Sequence, residues 1–258
     1  MTQVVQSVER TLDILELLSE NIDGMGLTEI SNRIDLHKST VHRLLGTLIY
    51  KDFVKQDTET NKYKITIKLY ELGVKKIASA DILEVSKPYT KELMKKLNEV
   101  VHLVIQDNND IIYIDKVEAD NTIRMASTIG RRRPLYCTSV GKAMMAHMSD
   151  EEVKEIWENS KIEKLTEKTI TDFNDFLTEL EKIREYGYAV DDEENEVGVR
   201  CIGAPIFNNT GKVQGAISIS GPAIRVTKER VEAIAEEVKK YAVLISKELG
   251  FSKNNKEI

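Results

Sequence analysis

The first apolar residues of the chain recur at the spacing of a helix face. Steps of three and four residues separate Val5, Val8, Leu12, Leu15 and Leu18. This spacing predicts an amphipathic helix, and the glycine-containing run at residues 23–26 ends it. The spacing of Ile30 and Ile34 predicts a short second helix directly after that break.

The next apolar pattern predicts a third helix followed by a hairpin. Positions i, i+3, i+4 and i+7 of this helix are Val41, Leu44, Leu45 and Leu48. One face of the helix is therefore predicted to be core. Residues 53–56 and 62–65 then form two short strand-like segments around the polar turn at 57–61. Helix, helix, turn, helix and hairpin, in this order, predict a winged helix-turn-helix domain over residues 1–66.

The polar side of the third helix and the hairpin has the chemistry of DNA binding. In a winged helix-turn-helix domain the third helix enters the major groove with its N-terminal residues nearest the bases. Serine and threonine can donate to phosphates or bases and arginine can pair with guanine, while hairpin lysines neutralise phosphates. The predicted contacts with double-stranded operator DNA are Lys38, Ser39, Thr40, His42, Arg43, Lys62 and Lys64.

The distribution of charge supports a DNA partner although the total charge does not. The chain carries a formal net charge of -6, which by itself indicates solubility rather than nucleic-acid binding. Residues 36–68, however, contain seven Lys and Arg against three Asp and Glu. The simpler alternative is a small helical domain with a solvated polar face. A core stripe, a basic outer face and a basic hairpin occurring together favour DNA binding.

The remainder of the chain predicts a linker and an α+β domain. Residues 67–82 have apolar positions on more than one side and predict a linker helix. From residue 83 a helix is followed by antiparallel strands at 101–106, 111–117 and 122–128, then by three helices. Two strands at 199–207 and 212–221 and a last helix complete a domain predicted at 83–251. Residues 252–258 are predicted to be a disordered tail.

One segment of this second domain predicts an anion site. Thr138 or Ser139 can cap the helix that follows, which leaves backbone N–H groups free near Ser139 and Val140. These groups and the helix dipole favour a small carboxylate. An ordinary capped helix start is the simpler alternative for this segment taken alone.

Two further features predict partners for hydroxyl groups. Ser218 and Ser220 share one face of an otherwise apolar strand. Asp191 can accept hydrogen bonds from hydroxyls, and Cys201 lies on the strand that follows it. Together with the amides near Ser139, these residues predict a polyhydroxy or keto acid as ligand.

Long motifs in both domains resemble one protein family. They are KSTVHRLL, PLYCTSVGKA, DDEENEVGVRCIGAPIF and AISISGP. They resemble the IclR family of bacterial transcriptional regulators, and the resemblance runs from Gln6 to Leu249. It implies an N-terminal winged helix-turn-helix domain, a C-terminal GAF-like effector-binding domain, and dimers or dimers of dimers on palindromic operators.

The resemblance also implies an effector pocket and an effector. By motif position, the pocket residues are Met125, Ser139, Val140, Asp191, Cys201, Ser218 and Ser220. Some members have Gly-Ala at the Ser139-Val140 position, so this pocket is expected to be smaller and more polar. The segments VHLVIQD, IIYIDKV, RMASTIGRRRPLYCTSVGK and EKTIT resemble the regulators of pectin and sugar-acid breakdown, which implies a repressor responding to 2-keto-3-deoxygluconate. Regulation of aromatic- or keto-acid catabolism is the alternative.

Other classes of function receive little support from the sequence. No GxSxG, HExxH, GxGxxG or P-loop motif is present, so an enzyme is not expected. A metal-responsive regulator using Cys137, Cys201 and His102 is a second alternative, although no CxxC or HxxxH spacing supports it. No cofactor is predicted. Two cysteines, no apolar run near ~20 residues and no signal-peptide pattern predict a cytoplasmic protein without a membrane partner.

Overall fold

A computed structural model describes residues 4–69, 71–72 and 82–252 of the chain. The fold divides into two compact units, with the boundary between residues 79 and 80. Most of the predicted linker helix at 67–82 lies outside the described residues, as do residues 253–258 of the predicted tail.

The first unit is the winged helix-turn-helix that the apolar spacing predicts. Its elements are α1 (Gln6–Ser19), α2 (Leu27–Arg33), α3 (Lys38–Tyr50), β1 (Val54–Gln56) and β2 (Tyr63–Ile65). The two strands pair antiparallel, with Val54 opposite Ile65. The core face of α3 consists of the four predicted residues, and Val41 and Leu45 are fully inaccessible to solvent. Each buried aliphatic side chain of this kind stabilises the fold by about 1.5–3 kcal/mol.

Only part of the apolar stripe predicted for helix α1 is buried. Ile14 and Leu18 enter the core. The N-terminal part of the predicted stripe does not, because Val5, Val8 and Leu12 are 61%, 55% and 53% exposed. The unit therefore presents an apolar strip on its surface, which we call the α1 stripe (Val5, Val8 and Leu12).

The second unit is built on one six-stranded antiparallel sheet. Its strand order is β5-β4-β3-β8-β7-β6, so the long strands β3, β8 and β7 lie side by side. The strands are β3 (Val100–Asp107), β4 (Asp110–Val117), β5 (Arg132–Pro134), β6 (Ala189–Asp192), β7 (Val199–Phe207) and β8 (Val213–Pro222). The helices are α4 (Ile82–Leu97), α5 (Ser139–Met145), α6 (Asp150–Asn159), α7 (Phe173–Tyr186) and α8 (Val231–Glu248), the last preceded by a 3₁₀ turn at Lys228–Arg230.

Helices cover both faces of the sheet, as the α+β prediction requires. One face packs on α4 and α8 and includes Ile217 and Ile219 of β8. The other face packs on α5, α6 and α7 and includes Ala216. This alternation along β8 follows from the two-residue period of a strand. No helix within the described residues is long and apolar enough to cross a membrane.

One predicted strand is absent. Residues 118–131, which contain the predicted strand at 122–128, form neither helix nor strand. We call this segment the strap (residues 118–131). The strap forms polar contacts with the sheet instead of the regular backbone hydrogen bonds of a strand.

Candidate DNA interface and effector pocket

The recognition helix α3 presents its predicted polar residues to solvent. It begins after His37, which is the N-cap residue and makes no side-chain cap hydrogen bond. Lys38, Ser39, His42 and Arg43 are exposed, and Thr40 is half-buried. Because the apolar stripe fixes the opposite face in the core, these side chains share the outer surface of the first turns of α3.

The hairpin adds a cationic strip beside this helix within the same unit. Lys64 lies opposite Lys55 in the β1–β2 register, and its Nζ is 3.7 Å from the carboxylate of Asp57. Lys55 is exposed while Lys62 and Lys64 are half-buried. Lys55 was not predicted as a DNA contact, although the alternation of residues 53–56 was sufficient to place it on the same face of the hairpin as Lys64.

The sheet register brings four predicted pocket residues of the second unit onto one face. Cys201 pairs with Asp191 on β6 and with Ser220 on β8. Two residues further along β7, Gly203 pairs with Ser218. Directly opposed residues of antiparallel strands point to the same face. Asp191, Cys201, Ser218 and Ser220 therefore lie on one sheet face, and all but the half-buried Cys201 are buried.

His102 lies on this face and was predicted only as an alternative metal ligand, not as an effector contact. It pairs with Ser218 across β3 and β8. Its Nδ1 is 3.2 Å from Ser220 Oγ and its Nε2 is 2.6 Å from Ser127 Oγ. Burial, reinforced by the charge of Lys116, lowers the pKa of His102 to about 3. The imidazole is therefore neutral at physiological pH, with one nitrogen donating and the other accepting.

The strap is held over this face by polar contacts with its backbone. Lys116 Nζ donates to the carbonyl oxygens of Met125 and Ser127 at 2.8 and 2.7 Å. It also forms an ion pair with Glu118 at 2.7 Å. Only 9% of the Lys116 side chain is exposed. Lys116 and His102, which are paired across β4 and β3, thus both contact the strap.

Helix α5 has the predicted cap, but its start is tightly packed. The Thr138 side chain accepts a hydrogen bond from Gly141 N at 3.2 Å. Ser139 and Val140 are both only 2% exposed. Gly203 of β7 lies against the peptide between them, since a Cβ at Gly203 would be 2.9 Å from Val140 N.

Asp191 is engaged by its own loop. Its Oδ1 accepts hydrogen bonds from Glu194 N and Asn195 N at 2.8 and 3.2 Å. Burial, together with the nearby charge of Glu194, raises the pKa of Asp191 to about 7 despite the opposing effect of Lys142. This carboxyl group therefore changes protonation state close to neutral pH.

A buried lysine connects the same loop to the helical layer. Lys142 of α5 is fully inaccessible, and its Nζ lies 2.5 Å from Glu194 Oε1 and 3.2 Å from Glu179 Oε1. Burial opposes its charge, but the carboxylates of Glu194 and Glu179 more than compensate and hold the pKa of Lys142 above its usual value. The second oxygen of Glu194 has no hydrogen-bond partner among the described residues.

A small cavity opens between the sheet, the strap and this loop. Its free volume is about 50 Å³. Of the predicted pocket residues, its lining includes Met125, Cys201 and Ser220. Ser139, Val140, Asp191 and Ser218 lie on or beside the same sheet face but do not line it. The other lining residues were not predicted for the effector pocket: His102, Tyr113, Ala126, Ser127, Arg131, Arg133, Asn195, Glu196 and Val199.

Two of the three side chains proposed as alternative metal ligands have other polar partners. Cys137 Sγ donates to Asn195 Oδ1 at 3.9 Å, and both ring nitrogens of His102 lie within hydrogen-bonding distance of serines. Burial raises the pKa of Cys137 to about 12, so its metal-binding thiolate form is disfavoured. Across the described ranges, no group of three His, Cys, Asp or Glu is placed to hold a metal ion.

Comparison with known families agrees with both units. The model of the IclR helix-turn-helix domain matches residues 7–58. The model of the bacterial transcriptional regulator IclR C-terminal domain matches residues 74–247. The chain belongs to the IclR family. Members of this family are DNA-binding transcriptional regulators, so this IclR-family protein is a regulator and not an enzyme.

Individual proteins of known name are similar to this chain over nearly its whole length. The HTH-type transcriptional regulator KdgR of Escherichia coli K12 is 38% identical over 247 residues, which cover 96% of this chain and 94% of that protein. The HTH-type transcriptional repressor AllR of the same strain is 35% identical and covers 95% and 90%. The crystal structure of the Thermotoga maritima IclR protein is 33% identical, with a TM-score of 0.64 over 95% of this chain and 99% of that one. The similarity to KdgR supports membership of a KdgR-like subgroup within the family.

Proposed function

We propose that this IclR-family regulator represses a catabolic operon and leaves its operator on binding a small hydroxylated keto acid such as 2-keto-3-deoxygluconate. The observation that carries the proposal is the polar cluster of His102, Ser127 and Ser220, in which both imidazole nitrogens lie within hydrogen-bonding distance of a serine hydroxyl. The resemblance of the motifs to regulators of sugar-acid breakdown implies the effector, and the similarity to a protein named as a repressor supports the sign of regulation.

The polar cluster suits a ligand that carries several hydroxyl groups. The neutral imidazole of His102 can donate at one nitrogen and accept at the other, and each serine hydroxyl can do both. A ligand hydroxyl can therefore replace Ser127 at His102 Nε2 without leaving a buried group unsatisfied. Burial, with the nearby charge of Asp191, raises the pKa of the Cys201 thiol, so this side chain adds no negative charge that would repel an acid.

Entry of the effector requires the strap to move. The cavity of about 50 Å³ holds little more than one water molecule of about 30 Å³, whereas small-molecule pockets usually measure about 300–1,000 Å³. Opening the site breaks the contact between Ser127 and His102 and the two hydrogen bonds of Lys116 to the strap. The effector thereby stabilises an arrangement of the second unit that differs from the closed one.

This change is proposed to reach DNA through the linker. Repression requires two recognition helices that fit half-sites about 34 Å apart on one face of the duplex. Operator affinity falls when a change in the effector-binding units of a dimer alters this spacing. Because coupling between two binding sites is reciprocal, operator DNA then lowers effector affinity by the same factor. In this proposal Lys38, Ser39, Thr40, His42 and Arg43 contact the major groove.

Further lysines are proposed to contact phosphates. They are Lys62 and Lys64 of the hairpin, with Lys55 as an addition from the structure. These side chains carry no sequence information, but they set the register of α3 in the groove.

The proposal includes self-association as a homodimer or homotetramer. The α1 stripe supports it, because three neighbouring apolar residues more than half exposed on one helix are what a second copy of the same helix would cover. A palindromic operator also requires a two-fold symmetric protein. Light scattering of the purified chain at several concentrations measures the state directly, and a monomer at all of them would contradict this part.

The decisive experiment is fluorescence anisotropy of the full chain on DNA from upstream of its own gene and its neighbours, at fixed salt. We expect tight binding that 2-keto-3-deoxygluconate releases. Tight binding that ignores this compound would leave the regulator in place and discard the effector. Arg43→Ala is the matched control, because it should weaken operator binding while its thermal stabilisation by the effector remains.

A further inference from the structure

Arg133 occupies an unusual position for a charged side chain. It lies on the edge strand β5, paired with Ile111 of β4, and it is half-buried in the cavity lining. Within residues 4–69, 71–72 and 82–252 no carboxylate or carbonyl accepts a hydrogen bond from its guanidinium. Its positive charge is close enough to oppose the pKa increase that burial imposes on the Tyr113 phenol.

The preceding residue, Arg132, has carboxylate partners that Arg133 lacks among the described residues. Arg132 forms ion pairs with Asp107 and Asp110 and lies outside the cavity lining. Successive residues of a strand point to opposite faces. The pleat thus separates two adjacent arginines. Arg132 is neutralised within the fold, whereas Arg133 lines the cavity.

We propose that Arg133 binds the carboxylate of the effector and so makes this site selective for monocarboxylic acids. The inference rests on the proposed function, since it assumes that the effector occupies this cavity. Guanidinium groups bind carboxylates through two parallel charge-assisted hydrogen bonds. The backbone amides of Ser139 and Val140, which the capped helix start predicts for this role, belong to residues outside the cavity lining.

The remaining lining defines the rest of the ligand. With the carboxylate at Arg133, the other end of a small acid meets the neutral groups His102, Ser127 and Ser220, which suit hydroxyl or keto oxygens. Glu196 also lines the cavity and forms no ion pair with any described residue. A second negative charge on the ligand would meet this carboxylate, so dicarboxylates and phosphorylated sugar acids are disfavoured.

The test compares Arg133→Met with Arg132→Met in the full chain. Binding is measured by calorimetry with 2-keto-3-deoxygluconate and with 3-deoxyfructose, which has the same skeleton with a CH₂OH group in place of the carboxylate. We expect Arg133→Met to weaken binding of the acid by about 10- to 100-fold, the usual effect of losing hydrogen bonds to a charged group. Arg132→Met should bind the acid like the wild type, and Arg133→Lys should recover part of the loss.

The outcomes separate this inference from the proposed function. If the wild type binds the acid and Arg133→Met binds it equally well, the role of Arg133 is refuted and the effector stands. If the wild type binds neither 2-keto-3-deoxygluconate nor gluconate, glycerate or pyruvate, an acid effector is refuted together with Arg133. Equal wild-type affinity for the acid and for 3-deoxyfructose would also overturn the inference, because the carboxylate would then contribute nothing.

Discussion

Replacing Lys142 with methionine should destabilise the effector-binding unit by about 3–5 kcal/mol, the cost of removing one partner from a buried ion pair. The Lys142 side chain is completely inaccessible, and the Glu194 side chain is only 7% exposed. Glu179 is 25% exposed and can turn to water. Glu194 cannot, so its carboxylate would remain buried and uncompensated beside Asp191.

A double variant separates this charge effect from a loss of packing. In Lys142→Met/Glu194→Met the buried pair becomes two apolar side chains of similar length, and such exchanges are often close to neutral. We therefore expect the second substitution to restore most of the lost stability. Lys154→Met is the matched control, because Lys154 belongs to an exposed pair with Glu158 at 3.8 Å and should change the unfolding free energy very little.

Urea unfolding followed by tryptophan fluorescence measures these differences. Trp157 is the single tryptophan of the chain, and its ring packs 4.7 Å from that of Phe176 in the layer that contains α5. Its emission therefore reports the effector-binding unit rather than the first unit. A single variant that lost less than about 1 kcal/mol, or a double variant no more stable than the single one, would refute the reasoning.

Three further predictions concern other parts of the molecule. Arg43→Ala should weaken operator binding by about 1–3 kcal/mol in anisotropy titrations; equal weakening on unrelated DNA would contradict a role in base reading. Gly203→Ala should cost about 1–3 kcal/mol in urea unfolding, since its Cβ would meet the backbone of α5, and an unchanged midpoint would contradict that packing. Asp191→Asn keeps the acceptor of the loop but removes a carboxyl whose folded pKa of about 7 lies above its usual 3.8. The wild type loses this contribution to stability as pH rises from about 4 to 7, so the variant should become more stable relative to the wild type over the same range. A difference in urea midpoints that does not change between about pH 4 and 7 would contradict the raised pKa of Asp191.

Much of this protein was predictable because it depends on local patterns. The core stripe of α3, the alternation that divides Ser218 and Ser220 from Ile217 and Ile219, and the cap at Thr138 are each encoded within a few residues. A helix face or a strand face follows from the spacing of neighbours in the chain. The two-domain order and the outer face of the recognition helix followed from these local signals.

The composition of the effector site required the tertiary structure. His102 and Ser220 are 118 positions apart and meet only because β3 and β8 are neighbours in the sheet, an order that no local periodicity encodes. The same holds for Arg133, which the run of three arginines did not distinguish from Arg132 until the register placed one beside the cavity and the other beside Asp107. The exposed α1 stripe illustrates the same limit, since spacing identifies an apolar face but not what covers it. Local sequence determines which residues share a face, whereas long-range packing decides which faces meet and which charges remain without a partner.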